Sequence, residues 1–232
     1  VYPNLMAADI LAFDKVEPYS ADYPNWFGAD GLSGPASTDA FRKADYKNSP
    51  YYKNVDVYNL KPTASRTVLQ RYKSIQQATE YTCGVTSMLS ALEWFGKRGD
   101  MNEMDLAKLR DKTDGLPGTT IKEMLTAIKQ LPGDWDVKST NDLVEGDSEF
   151  EMGLMIEGKY MDLGEIIPYY LGKGIPVMIL THEWGGHYQT IVGYDTMGTE
   201  ATCDDVILLM DSYDTTDHNQ DGYVVQSYER LI

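Results

Sequence analysis

With two cysteines and three histidines in 232 residues, few side chains could carry nucleophilic chemistry. Cys83 lies in QQATEYTCGVTSMLSALEWFG, residues 76 to 96. Behind it, Val85, Met88, Leu89, Leu92 and Phe95 recur at the spacing of one helix face, and Gly96 with Lys97 and Arg98 suits a helix end. The spacing therefore predicts a helix with Cys83 in or just before its first turn. Free backbone N–H groups and the positive end of the helix dipole favour an anion there. A thiolate is an anion, so this position lowers a thiol pKa and raises its reactivity.

A base and a group to orient it can be placed by strand geometry. HYQTIVGYD (187–195) and VILLMDSYD (206–214) read as neighbouring antiparallel strands, with the loop TMGTEATCDD between them. The start of one such strand lies beside the end of the next. His187 and Asp211 are thereby brought to one end of the sheet. The carboxylate is expected to accept the Nδ1–H of the imidazole and to stabilise the imidazolium formed when the ring takes a thiol proton. Gln77, six residues before Cys83, offers an amide beside the Cys83 N–H as an oxyanion donor. Cys83, His187, Asp211 and Gln77 are the candidate catalytic residues; Cys83 could instead be an ordinary core thiol, His187 a strand histidine and Asp211 a turn carboxylate, while Gln76 competes with Gln77, which the spacing favours. His182 and His187, on a strand, lack the one-face geometry of a helical zinc pair.

These residues need a scaffold. Residues 1–60 are rich in Tyr, Asp, Pro, Asn and Gly without a clear period, and read as an N-terminal extension wrapping a domain over 61–232. Val68 to Ile75 reads as a short strand or extended lead-in. DMNEMDLAKLRDKT and GTTIKEMLTAIKQL read as helices, the second opened by a Thr120–Glu123 capping box. Residues 132–161 look acidic and irregular. MDLGEIIPYYLGKG reads as a helix broken at Pro168. IPVMILTHEW ends at Gly185–Gly186, a hairpin signal, and GYVVQSYERL reads as a last strand. Helices first and an antiparallel meander after them make an α+β fold.

The pattern Gln-x5-Cys-Gly opening a helix, a distant Gly-His-Tyr strand and an Asp at a strand end resembles the papain-like cysteine peptidase superfamily. QQATEYTCGVTSMLSALEWFG, GGHYQTIVGYDTMGT and MDSYDTTDHNQDGYVV look most like the double-glycine leader (bacteriocin-processing) peptidase-like family, in its stand-alone bacterial members. The resemblance covers roughly residues 50–232. It implies a helical part and an antiparallel sheet with the active-site cleft between them. It also implies a cysteine peptidase with Cys83 as nucleophile, His187 as base, Asp211 as orienter and Gln77 at the oxyanion. Ser212 stands where many relatives have Pro. No transporter segment is present, so the exporter-coupled role of some members does not carry over. Two other readings use the same residues: an acyltransferase (transpeptidase), and a catalytically silent cell-surface binding module.

The net charge of −16 disfavours nucleic acid and anionic membranes as partners, and no stretch reaches the roughly 20 apolar residues of a membrane span. A peptide or protein substrate is the expected partner, and no cofactor is required. Asp217, Asn219 and Asp221 in DHNQDGY match the first half of a calcium loop, although Tyr228 rather than Glu stands at its twelfth position; a polar turn is the alternative. The start at Val1 reads as a processed form of a protein exported to a bacterial surface. Cys203 falls in the loop at the far end of the two strands. About seven strand residues at ~3.3 Å each separate it from the catalytic end, so no bridge to Cys83 is expected.

Overall fold

In the computed structural model, which describes residues 49–52, 54–110, 117–139, 153–181, 185–200, 202–214 and 219–231, helices and antiparallel strands form the expected α+β arrangement. All these residues belong to one unit spanning Tyr46–Ile232. Most of the expected extension, residues 1–48 and 53, lies outside the described residues. Within its remainder Val57 is buried in the main core.

The elements run β1 (Arg66–Val68), α1 (Cys83–Trp94), α2 (Glu103–Lys108), α3 (Ile121–Lys129), β2 (Gly153–Ile156), β3 (Lys159–Asp162), α4 (Leu163–Gly172), β4 (Val177–Thr181), β5 (His187–Asp195), β6 (Val206–Met210), β7 (Tyr223–Ser227) and α5 (Tyr228–Leu231). Local sequence explains the helix starts. Asn102 accepts the N–H groups of Met104 and Asp105 while the Asp105 carboxylate accepts the Asn102 N–H. The Thr120–Glu123 capping box opens α3 in the same reciprocal way.

β5 is the spine of the five-stranded sheet and is buried at all nine positions. β6 and then β7 pair along one edge; on the other, β4 covers the first half of β5 and β1 the second. The larger core packs this sheet against α4, with Ile167, Leu171 and the Ile207–Met210 run buried. A second core gathers Val85, Met88, Leu89 and Leu92 of α1 with α2, α3 and Tyr188 of β5. Burying each such side chain contributes roughly 1.5–3 kcal/mol. The helix stripe read from sequence is thus the core face, except that Phe95 remains 40% exposed and meets Trp135 edge-on. The polar side of α1 is enclosed too, with Thr86, Ser87 and Ser90 fully buried, because the helix lies between the other helices and β5.

Four local expectations are corrected. The first strand is Arg66–Val68 rather than a lead-in from Val68, since the chain turns at Leu69–Tyr72 with Arg71 at positive φ. α4 runs unbroken through Pro168. Only one N–H is lost there, a penalty of about 3 kcal/mol, and burial of Ile166, Ile167 and Leu171 offsets it. Within the segment read as irregular, β2 and β3 form a hairpin whose turn uses Glu157 and Gly158 at positive φ; Leu154 and Ile156 pack on Ile166. The final strand ends at Ser227 and becomes a single helical turn.

Candidate active site

Cys83 is the first residue of α1, as the sequence predicts. Thr82 precedes it, but its hydroxyl bonds within the loop to Thr79 and leaves the first turn uncapped. The first N–H groups of α1 therefore remain available to an anion. The glycine after the cysteine has a packing reason. A Cβ at Gly84 would stand 2.9 Å from Met124 Cε and 3.1 Å from both Thr119 Cβ and Tyr188 Cδ2. Gly84 lets α3 and β5 close on the start of α1. The Gln77–Thr82 loop is tied down from α2, where the Glu103 carboxylate accepts the Ala78 N–H at 3.0 and 3.1 Å and the Thr86 hydroxyl.

His187 opens β5 after Gly185 and Gly186, both at positive φ, where glycine alone is unstrained. Its Nε2–H donates to Asp211 Oδ1 at 2.8 Å, and both side chains are almost wholly buried. The ring is therefore turned opposite to the expectation, which gave the carboxylate to Nδ1. With Nε2 spent on Asp211, Nδ1 is the nitrogen left for the hydrogen bond that His187 shares with the Cys83 thiol. Asp211 follows β6 and Cys83 opens α1, so the two reach the ring from different elements.

Asp211 is fully buried and accepts four hydrogen bonds. Oδ1 takes His187 Nε2–H and the N–H groups of Tyr213 (2.9 Å) and Asp214 (3.1 Å); Oδ2 takes Gln189 Nε2–H (2.8 Å). Gln189 was missed in the sequence, although its signal was present: His-x-Gln on a strand puts both side chains on one face. Gln77 is also buried beside the site, with Nε2 donating to the Thr79 carbonyl at 2.7 Å and Oε1 accepting the Ser212 hydroxyl at 2.8 Å. The four predicted residues Cys83, His187, Asp211 and Gln77 are thus brought to one place. Asp217 lies outside the described residues. Asn219 and Asp221 form a turn, with the Asp221 carboxylate accepting Asn219 Nδ2–H (2.8 Å) and the Tyr223 N–H (3.0 Å). Among the described residues no three His, Cys, Asp or Glu side chains cluster to hold a metal.

Electrostatics favour charge separation in the pair. Burial opposes ionisation of Cys83, but hydrogen bonds from His187 and the Tyr188 backbone, the His187 charge and the Gly84 backbone outweigh it and bring the thiol below its ordinary pKa. Burial likewise opposes the His187 cation, yet the bonds to Asp211 and Cys83 and their charges raise it to about 9. Asp211 is held below the usual carboxylate range, the His187 bond and charge and the two backbone donors overcoming burial. The arrangement can hold a thiolate beside an imidazolium, the state a thiol nucleophile needs.

A thiol on a helix N-terminus, a strand histidine and a buried carboxylate are thus joined across a helix–sheet junction. The sequence model of the Peptidase_C39 like family matches residues 69–231. The chain belongs to that family, and its α+β architecture is the papain-like fold that the resemblance implied. The family relates the chain to peptidases and so to peptide substrates. No curated protein and no solved structure matches it significantly. Among the described residues no helix is long and apolar enough to cross a membrane.

Proposed function

We propose that the protein hydrolyses a peptide bond through a thioester on Cys83. The observation that carries this reading is the His187 ring, bonded on one side to buried Asp211 and on the other to the Cys83 thiol. The thiolate attacks the carbonyl carbon and forms the S–C bond, and the carbonyl electron pair moves to oxygen. The Cys83 N–H and the second N–H of Gln77 Nε2 hold that oxyanion. As the tetrahedral centre collapses, the C–N bond breaks and His187 Nδ1–H protonates the leaving amine. A water then attacks the thioester, giving its proton to Nδ1, and the second collapse returns the thiolate and releases the acid. Asp211 holds the imidazole by Nε2–H throughout and stabilises its cation.

The test is a digest of a peptide library by the wild type and Cys83→Ala side by side. Cleavage by the wild type alone is expected. Equal product patterns would remove Cys83 from the chemistry. Adding a primary amine to the digest separates hydrolysis from acyl transfer: new amide products in place of free acids would make the protein a transferase.

A further inference from the structure

Gln77 can serve an oxyanion only if its NH2 end, not its oxygen, faces the reacting centre. The two ends of a carboxamide are nearly the same size, so shape alone does not choose between them. In this fold the choice is made by two partners on opposite ends of the amide. The Thr79 carbonyl, which can only accept, takes one N–H of Nε2 at 2.7 Å. The Ser212 hydroxyl, 1% exposed, donates to Oε1 at 2.8 Å. The Gln77 backbone N–H in turn donates to the Ser212 carbonyl at 2.9 Å, so the two residues hold each other at both main chain and side chain. Donation into Oε1 also polarises the amide and strengthens its remaining N–H as a donor.

We propose that Ser212 is the positioning residue of the oxyanion site, its hydroxyl fixing the Gln77 amide with one N–H free for the oxyanion. This rests on the peptidase reading above and adds to it a link between two halves of the site: Ser212 directly follows the carboxylate that orients His187, while Gln77 lies on the loop leading to Cys83. One backbone turn at residues 211–212 thus sets both the imidazole and the oxyanion donor.

The test compares two reactions of Cys83. Acetylation by p-nitrophenyl acetate passes through a tetrahedral oxyanion: the thiolate sulfur bonds the carbonyl carbon, p-nitrophenolate leaves, and an acetyl thioester remains. Alkylation by iodoacetamide displaces iodide at a saturated carbon and forms no oxyanion. Ser212→Ala is expected to slow acetylation about tenfold and to leave alkylation unchanged, against the larger 10²–10³ loss typical of removing an oxyanion donor expected for Gln77→Ala. Adding Ser212→Ala to Gln77→Ala is expected to cost nothing more, because the hydroxyl acts only through the amide. Ser212→Thr, which keeps the hydroxyl, is expected to retain most of the rate. Wild-type acetylation in Ser212→Ala, additive losses in the double variant, or an equal fall in acetylation and alkylation would each overturn the proposal. An unchanged rate in Gln77→Ala would overturn the Gln77 assignment and this inference together. Failure of the peptidase reading shows separately, as peptide cleavage that survives Cys83→Ala.

Discussion

Asp211→Asn isolates the charge that holds the imidazolium. The side chain keeps its size, and Asn Oδ1 can still accept His187 Nε2–H and the backbone N–H groups of Tyr213 and Asp214. The Asn NH2 would then face Gln189, whose amide can flip to present its oxygen in place of the present Nε2–H donor. Folding should therefore survive while the negative charge disappears. His187 is raised from 6.5 to about 9, which corresponds to about 3 kcal/mol favouring the imidazolium. Burial opposes that rise; of the two groups producing it, Asp211 stands ahead of Cys83. Its loss costs on the order of 2 kcal/mol, or about ten- to hundredfold in ion-pair population. The sign is set by both groups: the pair exists above the lowered pKa of Cys83 and below the raised pKa of His187, so the variant narrows this window from both sides. The assay is the pH dependence of iodoacetamide alkylation of Cys83, followed by mass spectrometry, with far-UV circular dichroism as the folding control. On the acid limb of the profile the rate should fall about ten- to hundredfold, with that limb displaced upward. Superimposable profiles for variant and wild type would refute the reasoning, and with it Asp211 as the orienting group.

Three further outcomes are expected. Cys83 should be alkylated well below pH 8 and much faster than Cys203, and the denatured, non-reduced protein should titrate as two free thiols, both being unbridged; equal rates would deny that Cys83 is activated. Gly84→Ala should destabilise by about 1–3 kcal/mol in urea unfolding, because the new methyl presses on Met124, Thr119 and Tyr188; unchanged stability would show that α3 and β5 have room to retreat. Calcium at millimolar concentration should raise the Tm above that in a chelator if Asp217, Asn219 and Asp221 hold a cation; no shift would leave Asn219 and Asp221 as a polar turn, in which the Asp221 carboxylate accepts Asn219 Nδ2–H and the Tyr223 N–H.

Local sequence determined much of this molecule. The 3.6-residue stripe from Val85 to Leu92 marks α1 and puts Cys83 at its start, and a capping box marks the start of α3. The meander from β4 to β7 is legible because short apolar runs and turn glycines are local signals. At Pro168 and in the β2–β3 hairpin, burial against other elements outweighs local preference. The decisive feature of the site is also tertiary. β5 pairs Ile191 with Leu209 but Gly193 with Leu208, so Val192 is an extra residue, a bulge. Carried back without it from Asp195–Val206, the register would set Asp211 opposite Thr190, on the wrong face for His187. With it, Asp211 falls opposite Gln189, on the face of His187, and bonds both. A one-residue shift reverses the facing of every strand side chain. The spacing of His187 and Asp211 along the chain could bring them to one end of the sheet. The bulge turned them toward each other, and the same turn carried Ser212 to Gln77 across 135 residues of sequence.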